Sequence, residues 1–578
     1  MQSANSTAEN GKWRPGSTEM SVRRNLCLVA AMVLLASLPF LGKGPRIDDP
    51  VYLTVAKRIA TDPLRPYPVE NVRSNGGFSV SNPPLQQYVL AGIIAAMGEN
   101  MTALHIVSAF FLLVAGLAMY GVARRFCAQP LAATALLIAS PAVIPSQNLM
   151  LDIPVLALAL VSVYLYLRGA DEHNTQWAIL GGVFLGLAFL TKFNALPLAP
   201  LFVIYAFVKR RYRCLVALLP ALVIVGLWAV HDLAIYGVTQ IASRQEASPV
   251  LGVLSQPRVL LYRAVFTLSC LGASCFLPLF LVPRRSRQSL ALVGLMIAAS
   301  ALPYLYALHQ GRVTPIHVIV ATGLLAMGMM MLVLIAGRSL ACLRQPAAES
   351  SQRSDELFLI AWILGIVAFA IIFARSIAIR HFILALPPLI VLSCRVLEGT
   401  QAKAKRQAIL TACCILTAGV GFAVARADYL HANVYEPLAK DVARTCAAEV
   451  RERKVFFLGA WEWAYWAEKN GLRRFPKLNA ALQPGDLVAF PRTARLSRSA
   501  ILEDQGAELV GAYVISSSWP VRTFDRNMAG YYAMQNFWET PYTISRAPIE
   551  EVRIVRCVRA GQLDDEQLAP VDVLGRKD

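Results

Sequence analysis

Asp48 and Asp49 stand side by side a few residues after the first long apolar run of the chain. Such a pair reads in two ways. It is a set of solvated loop carboxylates, or a base held at the lipid–water boundary that takes a proton from an acceptor hydroxyl. Pro50 follows, and Val51-Tyr52-Leu53-Thr54-Val55-Ala56 then begins a helical pattern. An acid just before a proline in the first turn marks a helix start. The positive end of a helix favours an ionised carboxylate there.

Four other stretches carry chemistry-bearing side chains. Asp152, in Leu149-Met150-Leu151-Asp152-Ile153-Pro154, suits a helix cap and equally the wall of a site; the two roles are compatible. Lys192 lies between two apolar runs, where an ammonium either snorkels to the surface or meets a partner such as phosphate. Arg375, Arg380 and His381 follow another apolar run, on the side of the membrane where positive charge is scarce. They are interfacial anchors or bidentate phosphate ligands. His309 and Arg312 form a weaker version of the same pattern, and His231-Asp232 suits mutual pairing better than a metal.

The elements that must position these groups follow from composition. Of the 578 residues 56% are hydrophobic and 16% charged, with mean hydropathy +0.51. That is too little polar residue to cover a water-facing surface of this size, so a soluble enzyme and a disordered chain are both excluded. The net charge of +19 fits the positive-inside bias of membrane loops better than a nucleic-acid partner.

Apolar runs long enough to cross a bilayer begin at 26–41 and recur at 102–123, 130–146, 152–168, 177–191, 193–208, 214–234, 259–282, 289–308, 313–336, 357–374, 382–397 and 407–425. They predict a polytopic α-helical membrane protein with about thirteen spans. Residues 1–24 read as a cytoplasmic tail and 25–425 as the membrane domain. Arg124, Arg168, Arg210, Arg284, Arg338 and Lys403 mark alternate, cytoplasmic loops. Residues 43–101 form a long external loop. In it Asn82-Pro83-Pro84-Leu85 opens an apolar stretch too short to span, expected to lie in the interface.

From 426 to 578 the texture changes to short strands at 454–458, 486–490 and 551–555 and a Trp-rich helical piece, Trp461 to Lys469. This predicts a small soluble α/β or α+β domain on the external side, periplasmic in a bacterium. Trp461, Trp463 and Trp466 suit a core or a membrane contact better than a sugar platform. Cys446 and Cys557 lie where a disulfide is able to form; the remaining cysteines show no metal-binding spacing.

Taken in order, Asp48-Asp49-Pro50-x-Tyr52, Asn82-Pro83-Pro84-Leu85, Met150-Leu-Asp152-Ile-Pro154, Leu190-Thr191-Lys192 and Arg380-His381-Phe-x-Leu-x-Leu-Pro387-Pro388 resemble the GT-C membrane glycosyltransferases. More narrowly, the chain over about 25–400 looks like the bacterial family 39 and aminoarabinose-transferase-like proteins, relatives of the protein O-mannosyltransferases. The resemblance implies transfer of a sugar, hexosyl or pentosyl, from a polyprenyl-phosphate-linked donor to a lipid, glycan or protein acceptor. Transfer would occur at the external face of the inner membrane. It implies Asp48 as catalytic base with Asp49 beside it, and Lys192 and Arg380, with His381 and Arg375 near them, at the donor phosphate. Tyr52, Pro83, Pro84 and Asp152 would form the wall. No protein metal site is implied, although a divalent cation remains compatible. The chain departs from the family in having Asp49 where Glu is usual and His381 where Tyr is common. A lipid-linked sugar flippase or transporter is the main alternative, and a receptor or scaffold a lesser one. The gathering of charges at one face favours surface chemistry over passage.

Overall fold

The computed structural model describes residues 19–75, 78, 80, 82–247, 256–281, 287–344, 350–452, 454–475, 483–491 and 507–558. Among these, nine helical stretches are long and apolar enough to cross a membrane, and three shorter apolar helical stretches accompany them. The polytopic helical class is therefore as the apolar runs predict. The helices that build the site are α1 (Glu19–Ser37), α2 (Asp49–Thr61), α3 (Val69–Asn75), α4 (Leu85–Met97), α5 (Met101–Phe126), α6 (Pro130–Ile138), α7 (Asp152–Asp171) and α8 (Thr175–Thr191). They are followed by α9 (Leu198–Val208) and α10 (Leu218–Tyr236).

The loop between α1 and α5 holds three short helices, α2 to α4. The apolar stretch after Pro84 becomes the 13-residue α4, short of a span as expected. Asn100 then caps α5, its side chain accepting from the Ala103 N–H at 3.1 Å.

One predicted span is corrected. The run 130–146 is helical only over Pro130–Ile138 and continues as turns to residue 151. Pro141 and Pro145 interrupt the pattern. Irregular backbone survives at membrane depth only where protein satisfies its polar groups. Here the Ser146 hydroxyl donates to the Ala142 carbonyl at 2.7 Å, and the Gln147 side chain donates to the Ala36 carbonyl at 3.1 Å. Ser140 donates to the Ser274 carbonyl at 2.7 Å.

Toward the C-terminus the helix Lys403–Ala432 leads into a five-stranded mixed sheet. Its strand order is Arg473–Arg474, Val455–Phe457, Leu487–Pro491, Glu550–Arg556, Glu508–Ile515. The first three strands run parallel and the last two pair antiparallel. Alternate residues face opposite sides. Leu487, Ala489 and Ile554 pack with the helix Tyr435–Thr445 and with Trp463, while Val488, Phe490 and Val555 line the other face. Cys446 belongs to the first side and Cys557 to the second, and both are free thiols, so the bond the sequence left open is not formed. Within the Trp-rich helix Trp463 is buried in this core and Trp461 is exposed.

Residues 519–545 leave the sheet and press into the membrane part. Tyr531, Tyr532, Met534 and Tyr542 join the core that the membrane helices share. The Met534 N–H bonds the Ile377 carbonyl at 3.0 Å, and the Trp519 indole donates to the Ala423 carbonyl at 3.0 Å.

Candidate functional site

Asp152 is the first residue of α7, and Lys192 caps the C-terminal end of α8. The two helices form an antiparallel hairpin, so the start of one meets the end of the other. A carboxylate at a helix start and an ammonium at a helix end each complement the helix dipole. Lys192 Nζ lies 2.5 Å from Asp152 Oδ1, and both side chains are nearly buried.

Arg380 comes from a different part of the chain, the 3-10 turn Ile379–Ala385 that precedes the helix Leu386–Thr400. Its Nη1 lies 3.5 Å from Asp152 Oδ2, and its Nη2 lies 3.1 Å from Asp48 Oδ2. Nη1 also approaches Met150 Sδ at 3.0 Å. The result is one row of alternating charge: Asp48, Arg380, Asp152, Lys192. The Asp48 side chain is 35% exposed, against 2% for Asp152 and 13% for Arg380, so Asp48 is the water-facing end. Arg380 Nε is buried with no hydrogen-bond partner among the described residues.

The adjacent acids point in opposite directions. Ile47, just before the pair, adopts φ 45°, a strained value for a β-branched residue. Asp48 faces Arg380. Asp49 turns inward, is fully buried, and accepts the Arg46 backbone N–H at 2.8 Å. Burial pushes the Asp49 carboxyl up to about 8, against the opposing pull of the Arg46 backbone N–H. The helix-start reading expected an ionised group; desolvation outweighs the dipole here, and Asp49 is protonated at neutral pH. Tyr52, also on α2, is buried, and burial first and then the Asp48 carboxylate hold its phenol protonated.

Other anticipated residues sit nearby. The Asn82 side chain accepts the Phe193 N–H at 3.3 Å, which ties the Asn82-Pro83-Pro84 turn to the Lys192 corner. Pro83 lines a small cleft with Phe189 and Phe193, and Pro84 precedes α4. His381 shares the 3-10 turn with Arg380, half-buried, its backbone N–H on the Ala378 carbonyl at 3.0 Å. Arg375 is exposed in the preceding bend and makes no ion pair among the described residues. Arg312 stacks over Trp538 at 4.6 Å, and His231 pairs with Asp232 at 3.6 Å. Among the described residues no three His, Cys, Asp or Glu side chains are grouped as metal ligands.

A second buried network adjoins the row. Lys43 and Arg46 both meet Asp428, at 2.5 Å and 3.0 Å, and Arg46 also pairs with Glu462 of the Trp-rich helix. The Tyr532 hydroxyl donates to Asp428 Oδ2 at 2.6 Å and accepts from the Asn148 side chain at 2.8 Å. Its ring lies close to two guanidiniums, 5.0 Å from that of Arg46 and 5.7 Å from that of Arg380. None of Lys43, Arg46, Asp428, Glu462 or Tyr532 was singled out from the sequence. For Lys43 and Arg46 a signal existed, since they too are cations on the side expected to be poor in positive charge.

Residues 81–234 match the family model of dolichyl-phosphate-mannose-protein mannosyltransferases. No curated protein matches the chain. Among solved structures, the oligosaccharyltransferase of Archaeoglobus fulgidus, tethered with an acceptor peptide, is 14% identical over 78% of this chain, with TM-score 0.45. This chain covers 63% of that one. ArnT from Cupriavidus metallidurans in the apo state is 14% identical, covering 85% of this chain and 96% of that one, with TM-score 0.45. The same protein bound to undecaprenyl phosphate is 13% identical over 87% and 97%, with TM-score 0.42. The resemblance to the GT-C membrane glycosyltransferases thus has a counterpart in a stretch that includes Asp152 and Lys192, but neither Asp48 nor Arg380.

Proposed function

We propose that the chain transfers a sugar from a polyprenyl-phosphate-linked donor to an acceptor hydroxyl at the outer face of the inner membrane. The observation that carries this reading is the charge row Asp48–Arg380–Asp152–Lys192, assembled from three separated parts of the chain. A structural ion-pair cluster has no need of a carboxylate one-third exposed at one end and, among the described residues, an unpartnered guanidinium N–H inside.

Unliganded, the two cations are neutralised by the two acids. A donor phosphate supplies the oxygens that Arg380 Nε lacks and competes with Asp48 for the same guanidinium. Asp48 is thereby released to the acceptor. Asp48 takes the acceptor proton as the hydroxyl oxygen bonds to the anomeric carbon. The bond from that carbon to the phosphate oxygen breaks, and its electron pair stays on the polyprenyl phosphate. Attack opposite the leaving group inverts the anomeric centre. Lys192 and Arg380 stabilise the charge that builds on the phosphate, most effectively where water is scarce. Asp152 keeps both cations aimed while the site is empty, and protonated Asp49 locks the turn that presents Asp48. In this reading the N-terminus is cytoplasmic and the sheet domain periplasmic.

The test is transfer by the purified chain in nanodiscs. A radiolabelled polyprenyl-phosphate sugar, offered with lipid, glycan and peptide acceptors, is expected to give a labelled acceptor without a second compartment. Persistent failure of the label to leave the donor, together with movement of the donor across sealed vesicles, would replace this reading with the flippase.

A further inference from the structure

The charge row lies at one end of α8; a second concave cluster lies at the other. α8 has 17 residues, so its ends are about 25 Å apart, close to the thickness of the hydrocarbon core. At the end remote from Lys192 is a cavity of about 300 Å³ between the α7–α8 corner and the turn after α9. Its walls carry His173, Arg210, Arg211 and Arg213, and no acid.

Three observations indicate that this cavity is built for an anion rather than left over from loop packing. First, the nearest acids are engaged elsewhere. Asp171 is held by Arg125 at 2.6 Å, and Glu172 by Arg168 at 2.9 Å. Second, His173 and Arg210 both adopt left-handed backbone, φ 54° and 53°, and both line the cavity. Neither is glycine, and each costs about 1 kcal/mol or more to hold in that conformation. Third, Arg211 donates to His173 Nδ1 at 2.9 Å, which fixes the imidazole as an acceptor there and leaves its other nitrogen to donate. The α8 amides are not the attraction, because the Asn174 side chain already caps Gln176 at 2.9 Å.

The surroundings indicate a lipid. Tyr212 lines the cavity and meets Phe207 edge-to-face at 5.4 Å between ring centres, and both are more than half exposed. Val208 and Leu219 add exposed apolar surface on either side in sequence. Exposed apolar side chains at the end of membrane helices face hydrocarbon, so an acyl chain has a surface to follow away from the cations.

We propose that this cavity binds the phosphodiester headgroup of an anionic phospholipid in the leaflet opposite the charge row. Arg210, Arg211 and Arg213 hold the phosphate oxygens, and Tyr212 and Phe207 flank the chains. The site is separate from the proposed transfer chemistry and does not depend on it.

The experiment is native mass spectrometry of the full chain, titrated with phosphatidylglycerol against a phosphatidylcholine control. Arg210→Gln with Arg211→Gln is expected to weaken the tightest phosphatidylglycerol binding about tenfold or more. Lys403→Gln with Lys405→Gln removes the same charge from another exposed basic segment and should change it less than about twofold. Equal weakening by the two pairs would reduce the effect to general charge and overturn the site. Undiminished binding by the first pair would overturn it as well. Millimolar inorganic phosphate should leave the lipid bound; displacement by it would mean a soluble phosphate ligand and overturn the lipid assignment.

Discussion

Lys192 Nζ rests 2.5 Å from Asp152 Oδ1, so the ammonium expected to meet a donor phosphate is already paired, and paired out of water. Asp152 also faces Arg380 at 3.5 Å. Removing one member of a buried ionic set leaves the others uncompensated, at a cost of about 3–5 kcal/mol. The two substitutions should therefore separate. Asp152→Ala should lower the thermal midpoint of the purified protein markedly, because Lys192 loses the acid at 2.5 Å and Arg380 loses one of its two. Lys192→Ala should raise the donor KM about tenfold or more, with a smaller change in acceptor KM. Kinetics in both substrates, set beside thermal unfolding, checks the division.

Tyr532 brings the C-terminal region into the same assembly. Its ring lies 5.7 Å from the Arg380 guanidinium, and its hydroxyl reaches Asp428 at 2.6 Å. Tyr532→Phe keeps the ring but leaves the Asp428 oxygen one donor short, a loss of about 1–3 kcal/mol in stability, with donor KM little changed. Tyr532→Leu removes the aromatic face as well and should raise donor KM several-fold. Equal donor KM in the two variants would show that the ring does not position Arg380.

Asp49 gives the chain a pH dependence of predictable sign. Its carboxyl is raised to about 8 by burial, so the folded state keeps a proton that the unfolded state releases in the ordinary acid range. Its contribution is therefore largest at low pH and is lost as pH rises through 8. The slope is at most about 1.4 kcal/mol per pH unit for one proton. Asp49→Asn, which carries no such proton, should show a flatter fall in thermal midpoint between about pH 5 and pH 8. Parallel curves for the two proteins would refute the assignment of a protonated Asp49.

Much of this arrangement is legible in sequence, for reasons that are local. Asp152 and Lys192 stand at helix ends, and helix ends are marked by apolar runs and by the charges that complement them. Arg380 stands out because a cation on that side of a membrane needs a reason. What fails is the reading of 130–146 as one span. Its hydropathy is that of a span, but Pro141 and Pro145 break it, and Gln147 and Ser146 satisfy the backbone locally and across the bundle. The inward turn of Asp49 is equally hidden, since an adjacent pair of acids carries no sign of which one is buried. Tyr532 was beyond reach altogether: its partner Asn148 is 384 positions away, and no local pattern marks either.

The most direct measurement is single-turnover transfer by Asp48→Asn, with polyprenyl-phosphate retention read on the same sample. The amide keeps the size of the side chain and a hydrogen-bond acceptor for Arg380 but cannot take the acceptor proton. Transfer should fall about a hundredfold to ten-thousandfold, while polyprenyl phosphate is held at least as tightly and the protein stays monodisperse. Transfer within a few-fold of the unsubstituted chain would contradict the account at its centre.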